Sequence, residues 1–182
     1  MKDNQNLNTF SNTVLSVKNV CKNYGNIEAV SDISFSLEKS QTLGLLGSNG
    51  AGKTTTIMML MGILKPSSGE IKILEQDVYK NRNQISREIN FASPFVELPH
   101  RLTVLQNLNV FGHLYGVKYL ADKIQELCIG LNISDLLKRR VGKLSSGQKT
   151  RVSIAKSLIN DPKILFLDEP TASLDPDQAD WV

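Results

Sequence analysis

The sequence predicts an α/β fold with an N-terminal antiparallel β part, a mostly parallel core sheet and a helical subdomain, in a chain of 182 residues. Three observations predict it. Residues 14–20 and 32–37 alternate apolar and polar positions. Two continuous apolar runs, TLGLLG at 42–47 and KILFL at 163–167, suit strands covered on both faces of a parallel sheet. An apolar period of 3.6 residues then runs through 102–140. A chain of this length buries one good core with a small satellite, so a single domain is the expectation.

Residues 1–13 read as a polar leader ahead of one α/β domain over 14–182; the leader lacks the apolar centre of a secretory signal. VLSVKNV at 14–20 and DISFSL at 32–37 form an antiparallel pair joined across CKNYGNIEAVS. TLGLLG follows as a buried strand ending in glycine. Residues 54–64 form a helix that KPSSGE stops, and EIKILEQ returns to a strand, giving the order β, β, β, α, β. INFA at 89–92 is a further strand. Val104, Leu105, Leu108, Phe111 and Leu114, then Leu120, Ile124, Leu127, Cys128 and Leu131, mark amphipathic helices of an insert over 102–140, within a helical subdomain at about 102–145. Val152, Ile154, Ala155, Leu158 and Ile159 mark another helix, ended by NDP, before KILFL closes the pattern.

Composition excludes several classes. With 41% hydrophobic and 21% charged residues the chain is neither disordered nor fibrous. A net charge of +3 does not force binding to a polyanion, and KRRVGK at 138–143 reads as a solvated basic loop or helix end. Cys21 and Cys128 are too far apart in sequence for a metal knuckle or redox pair, and Cys128 falls on the core side of its helix. TIMMLMGIL at 56–64 is too short to span a bilayer, so the chain is expected to be cytosolic unless something else holds it to a membrane.

Three short stretches carry chemistry. GSNGAGKTT matches G-x-x-x-x-G-K-[ST], with Gly47, Gly52, Lys53 and Thr54 at the fixed positions, between a strand and a helix. Glycines there let successive amides converge on a phosphate at a helix N-terminus, Lys53 would reach the β/γ oxygens, and the Thr54 hydroxyl would hold Mg²⁺. ILFLDEP ends an apolar strand in two acids. Asp168 would partner Mg²⁺ and Glu169 would orient or deprotonate an attacking water. In LSSGQ, Leu144 to Gln148, Ser145, Ser146 and Gly147 precede an amphipathic helix, which offers a second anion site or an ordinary N-cap.

In this order, over residues 14 to 176, the three stretches resemble the ATP-binding cassette (ABC) ATPases, a P-loop NTPase family. The resemblance implies an ATP-hydrolysing subunit that uses ATP and Mg²⁺, with the nucleotide held between two cassettes facing head to tail, in a homodimer or heterodimer. Gly47, Ser48, Asn49, Gly50, Ala51, Gly52, Lys53, Thr54 and Thr55 of one chain would meet Ser145, Gly147 and Gln148 of the other. Tyr24 stands where the family stacks an aromatic ring on adenine, and Asp175 of SLDP where its D-loop bridges protomers. The helical subdomain would dock on a transmembrane permease subunit. LTVLQNL and the stretch from Gly44 to Ile71 look most like cassettes of bacterial exporters whose membrane subunit is a separate chain, which puts the protein in the cytoplasm, peripheral on the inner face of the membrane, with no nucleic acid expected.

Three departures qualify the resemblance. Ser146 stands at a usual glycine, a change tolerable if its φ stays negative. Pro94 stands at the Q-loop glutamine position and has no amide side chain to contact metal or water. The family's histidine after the Walker B strand has no counterpart, since His100 and His113 both precede the signature. The C-terminal strands are therefore expected to be missing, leaving unpaired edges in the sheet, low stability and poor turnover. Two alternatives stand beside a transporter ATPase: a soluble ABC protein acting on ribosomes or DNA, and a remnant that binds nucleotide without turnover. GTPase and kinase readings fail for want of N-K-x-D and H-R-D motifs.

Overall fold

The computed structural model describes residues 12–93 and 98–168. The expectations for residues 1–11 of the leader, Pro94, Glu169 and Asp175 therefore lie outside the described residues, while Thr13, read as the end of the leader, opens the first strand. The chain divides into two compact units, with the boundary in sequence between Arg82 and Asn83.

The first unit is built on strands β1 (Thr13–Tyr24) and β2 (Ile27–Glu38). They form the antiparallel pair expected, but the strands are longer and the connection shorter than the sequence suggested. Most of CKNYGNIEAVS is strand, and only Gly25 and Asn26 turn. Gly25, at φ 58°, supplies the left-handed residue that such a tight turn favours. In β1 the period of two buries Leu15 and Val17 and would next bury Asn19. Instead Asn19 takes φ 47°, the register shifts, and Val20 goes to the core. Asn19 Nδ2 donates to Asp32 Oδ1 at 2.9 Å, which pins the bulge to β2.

Helix α1 (Lys53–Leu60) follows, then β3 (Ser68–Ile73) and β4 (Gln76–Asp77). All four strands are antiparallel, in the order β2-β1-β3-β4. EIKILEQ is therefore not one strand: Leu74 and Glu75, at φ 50° and 65°, turn the chain between β3 and β4. Neither residue type signals such a turn. Helix α1 also stops earlier than the expected residue 64. Gly62 at φ 67° breaks it, and the Tyr79 hydroxyl lies 2.7 Å from the Met59 carbonyl oxygen and 2.9 Å from that of Leu64. Burial pushes the Tyr79 phenol up to about 12.

The expected buried strand TLGLLG is the main correction. Residues 42–47 form no strand, every one of them is exposed, and Leu46 is 94% exposed. A strand buried on both faces requires ladder partners on both sides, and this stretch has none among the described residues. The order is thus β, β, α, β rather than β, β, β, α, β.

The second unit contains α2 (Arg82–Glu88), β5 (Ile89–Ala92), α3 (Val104–Leu114), α4 (Leu120–Gly130), α5 (Ser146–Leu158) and β6 (Ile164–Leu167). Helix α2 carries a single buried residue, Ile85, so no apolar period announced it. β5 and β6 pair in parallel, Ile89 with Ile164 through Ala92 with Leu167, as the apolar run at 163–167 anticipates. The insert is helical as read, with short 3₁₀ turns at Ser134–Leu136 and Val141–Lys143. Its core includes Val104, Leu108, Ile124, Cys128, Ile133 and Val152, which places Cys128 inside as expected. Thr103 caps α3 through a reciprocal bond with Gln106.

Candidate functional site

Residues 47–52 form a loop that enters α1, whose first turn holds Lys53, Thr54 and Thr55, and Gly52 is the N-cap with φ 84°. A Cβ at Gly52 would run into the Ala29 carbonyl oxygen of β2, so only glycine lets the loop sit this close to the sheet. That seat on β2 was not readable beforehand, because Ala29 has no side chain that announces it. Gly50 also takes φ 84°. The amides of Asn49, Gly50 and Gly52 have no acceptor among the described residues, and the Ala51 amide bonds to the Ser48 carbonyl at 3.1 Å. The first turn of α1 adds further amides that no helical carbonyl can satisfy. The result is a group of donors at the positive end of a helix, which suits an anion.

Lys53 folds back into the loop. Its Nζ donates to the carbonyl oxygens of Gly47, at 2.8 Å, and Ser48, at 2.9 Å. Both are neutral acceptors at an exposed site, so an anionic oxygen could replace them at little cost. The Thr54 hydroxyl is exposed and has no hydrogen-bond partner among the described residues. Beside the loop lies a cleft of about 690 Å³, lined by Glu28 to Ser31 of β2 and by Gly50, Ala51 and Lys53. Tyr24 stands at the end of β1, half exposed, with Lys22 Nζ 5.1 Å from its ring centroid.

In the second unit Ser145 is the N-cap of α5. Its Oγ accepts from the Gln148 amide at 3.3 Å, and Gln148 Oε1 accepts from the Ser145 amide at 3.1 Å. The ordinary reading of this serine as a cap therefore holds. The cap leaves the Ser145 hydroxyl proton unused among the described residues, so capping and anion binding are compatible. Ser146 is the first helical residue and has no positive φ, so its Cβ is tolerated. Leu144 is buried below the cap, while Ser145 and Ser146 are exposed. Asp168 directly follows β6, and its amide bonds to the Ala92 carbonyl at 2.9 Å.

One polar cluster escaped the sequence reading. Lys156 of α5 is 8% exposed, with Nζ 3.3 Å from Asn90 Oδ1 of β5 and 5.2 Å from the Phe111 ring centroid of α3. No carboxylate pairs with it among the described residues. Burial holds its pKa below the usual lysine value. Asn90 Nδ2 donates to Asn160 Oδ1 at 2.6 Å, tying the start of the strand pair to the end of α5. A lysine at an apolar helix position was the available signal.

A phosphate-type loop opening a helix in the first unit, and a parallel strand pair followed by an acid in the second, are features of the P-loop NTPase fold. The sequence profile of the ABC transporter family matches residues 30–172, and the chain belongs to that family. It is 38% identical over 169 residues to the bacitracin transport ATP-binding protein BcrA of Bacillus licheniformis, covering 90% of this chain and 53% of that protein. To a Nod factor export ATP-binding protein I of Cupriavidus metallidurans it is 34% identical over 165 residues, covering 90% of this chain and 54% of the relative. The chain thus spans about half the length of the curated relatives it matches. Among solved structures, the ATP binding subunit of an ABC transporter superposes with a TM-score of 0.84 at 25% identity, covering 93% of this chain and 71% of the other. A second, cbiO1 from Clostridium perfringens, gives 0.80 at 31% identity, covering 93% of this chain and 70% of the other.

Proposed function

We propose that the chain binds MgATP at residues 47–55 and, paired with a second cassette, hydrolyses it to power export through a separate membrane subunit. The observation that carries this reading is Lys53, held in the loop by two replaceable carbonyl oxygens beside free amides. On binding, its ammonium would leave Gly47 and Ser48 for the β/γ oxygens, and the amides of Asn49, Gly50 and Gly52 would take the phosphate charge. Thr54 and Asp168 have the hard oxygen donors that Mg²⁺ prefers, and the unpartnered Thr54 hydroxyl fits that role. The ion would neutralise charge on the phosphates. Glu169 would act on the attacking water, and Asp175 would bridge the protomers. The Ser145 hydroxyl and the α5 N-terminus, with Gly147 and Gln148, would close the γ-phosphate site of the other chain. Tyr24 would stack on adenine. The names of the relatives, a bacitracin transport protein and a Nod factor export protein, support the transport setting.

Trans complementation tests the head-to-tail arrangement. Lys53→Met removes the loop's cation and Ser145→Asp places a charge that repels phosphate, so each variant alone should release little phosphate. A mixture of the two should recover part of the activity, because one of the two sites in the mixed pair retains an intact loop facing an intact serine. No recovery in a mixture that demonstrably associates would count against the arrangement. A second reading, nucleotide binding without turnover, is favoured by the exposed, unpaired stretch 42–47 that leads into the loop. Saturable MgATP binding with no phosphate release from wild type would select it.

A further inference from the structure

The basic run at 138–143, read from sequence as a solvated loop, is only half of a larger feature. The backbone pairs 100–105 with 137–142: Thr103 bridges Arg140, the Val104 amide bonds to the Arg139 carbonyl at 3.0 Å, the Val141 amide to that of Leu102 at 3.0 Å, and the Gly142 amide to that of His100 at 3.0 Å. This brings Arg101 to the side of Lys138, Arg139, Arg140 and Lys143. All five are exposed, and none has an ion-pair partner among the described residues. Neither segment contains an acid; the nearest in sequence are Asp135 and Glu97, the latter outside the described residues. Leu105, whose amide bonds to the Leu137 carbonyl, is an exposed leucine at the edge of the same patch.

Five cations held together with no carboxylate paired to them among the described residues repel one another, and a polyanionic partner removes that repulsion. We infer that this face binds the anionic headgroups of a lipid bilayer. The cations sit on irregular segments and 3₁₀ turns rather than along one helix, so they present no regular spacing to a nucleic-acid groove, and neither segment carries a Phe, Tyr or Trp for base stacking. A bilayer surface needs no register: it requires several cations in one patch and gains from an apolar side chain such as Leu105. The inference takes its membrane setting from the proposed function, but binding is measured without nucleotide, so the two can fail separately.

The test is sedimentation of the full chain with vesicles, nucleotide-free, in low salt. Vesicles of phosphatidylglycerol and phosphatidylcholine should bind the chain, pure phosphatidylcholine vesicles should not, and salt on the order of 1 M should release it, since the Debye length is then about 3 Å. The triple variant R101Q/R139Q/R140Q should bind about fivefold more weakly per cation removed, or on the order of a hundredfold in all. The variant K18Q/K39Q/K65Q, which removes as many charges from the first unit, should bind the vesicles nearly as wild type does. Unchanged far-UV circular dichroism and melting would show that both variants fold. Equal binding to neutral vesicles, equal losses in the two triple variants, or tighter binding to duplex DNA than to anionic vesicles would each overturn the inference. MgATP binding by R101Q/R139Q/R140Q should match wild type, so a vesicle failure leaves the nucleotide reading intact, and failure of MgATP binding in wild type overturns only that reading.

Discussion

Lys53 and Lys156 show opposite uses of one side chain. Lys53 is partly exposed and bonded to two carbonyl oxygens that a phosphate can replace. Lys53→Met should weaken MgATP binding roughly 10- to 100-fold, the worth of a charge-assisted bond, while leaving the melting temperature nearly unchanged. Titration calorimetry beside a thermal melt checks both. Lys156 is buried against Asn90, Phe91 and Phe111, and burial depresses its pKa. The folded chain then binds fewer protons here than the unfolded chain, so stability rises with pH. The contribution is present in full above the unfolded value of 10.5 and is lost as pH falls through the depressed folded value. Lys156→Met should therefore be as stable as wild type at pH 7 to within about 1 kcal/mol, or more stable. Its advantage should shrink as pH rises towards the unfolded value, as urea melts at several pH values would show.

At the scale of elements, the cap of α5 separates structure from chemistry. Ser145→Ala should cost about 1 kcal/mol, a fall in melting temperature of roughly 2–4 °C, because the Gln148 amide loses its acceptor. Ser145→Asp should keep the cap and the stability but not the anion site. The β3–β4 turn makes a second case. Glu75 sits at φ 65°, so Glu75→Gly should stabilise the chain by about 1 kcal/mol if relief of the left-handed strain exceeds glycine's entropy cost. What the sequence made legible follows from these details. The β1–β2 pair, β5, the helices of 102–140, α5 and β6 were readable because their apolar periods match their buried faces. The β3–β4 turn was not, because Leu74 and Glu75 carry no turn chemistry. α2 was not, because one buried residue makes no period. The loop and the cap of the candidate site were readable from glycine, lysine and serine at fixed spacing. The Ala29 seat and the Lys156 cluster depend on contacts distant in sequence.

Across the whole chain, the exposed stretch 42–47 matters most. An apolar run is a statement about where a segment can be buried, and burial also requires partners to complete the ladder. Leu46 is 94% exposed, so Leu46→Glu should change stability by less than about 0.5 kcal/mol, whereas a strand buried on both faces would lose several times that. Denaturant melts distinguish the two. The chain belongs to the ABC transporter family and has the fold of its solved cassettes at a TM-score of 0.84. Two anion-type helix ends, one in each compact unit, are the physical basis of the function proposed for it. The most direct test follows the amide signals of Asn49, Gly50 and Gly52 by nuclear magnetic resonance as MgATP is added. The account predicts large, saturable shifts at these three residues that are much reduced in Lys53→Met; unmoved signals in folded protein at saturating nucleotide would contradict it.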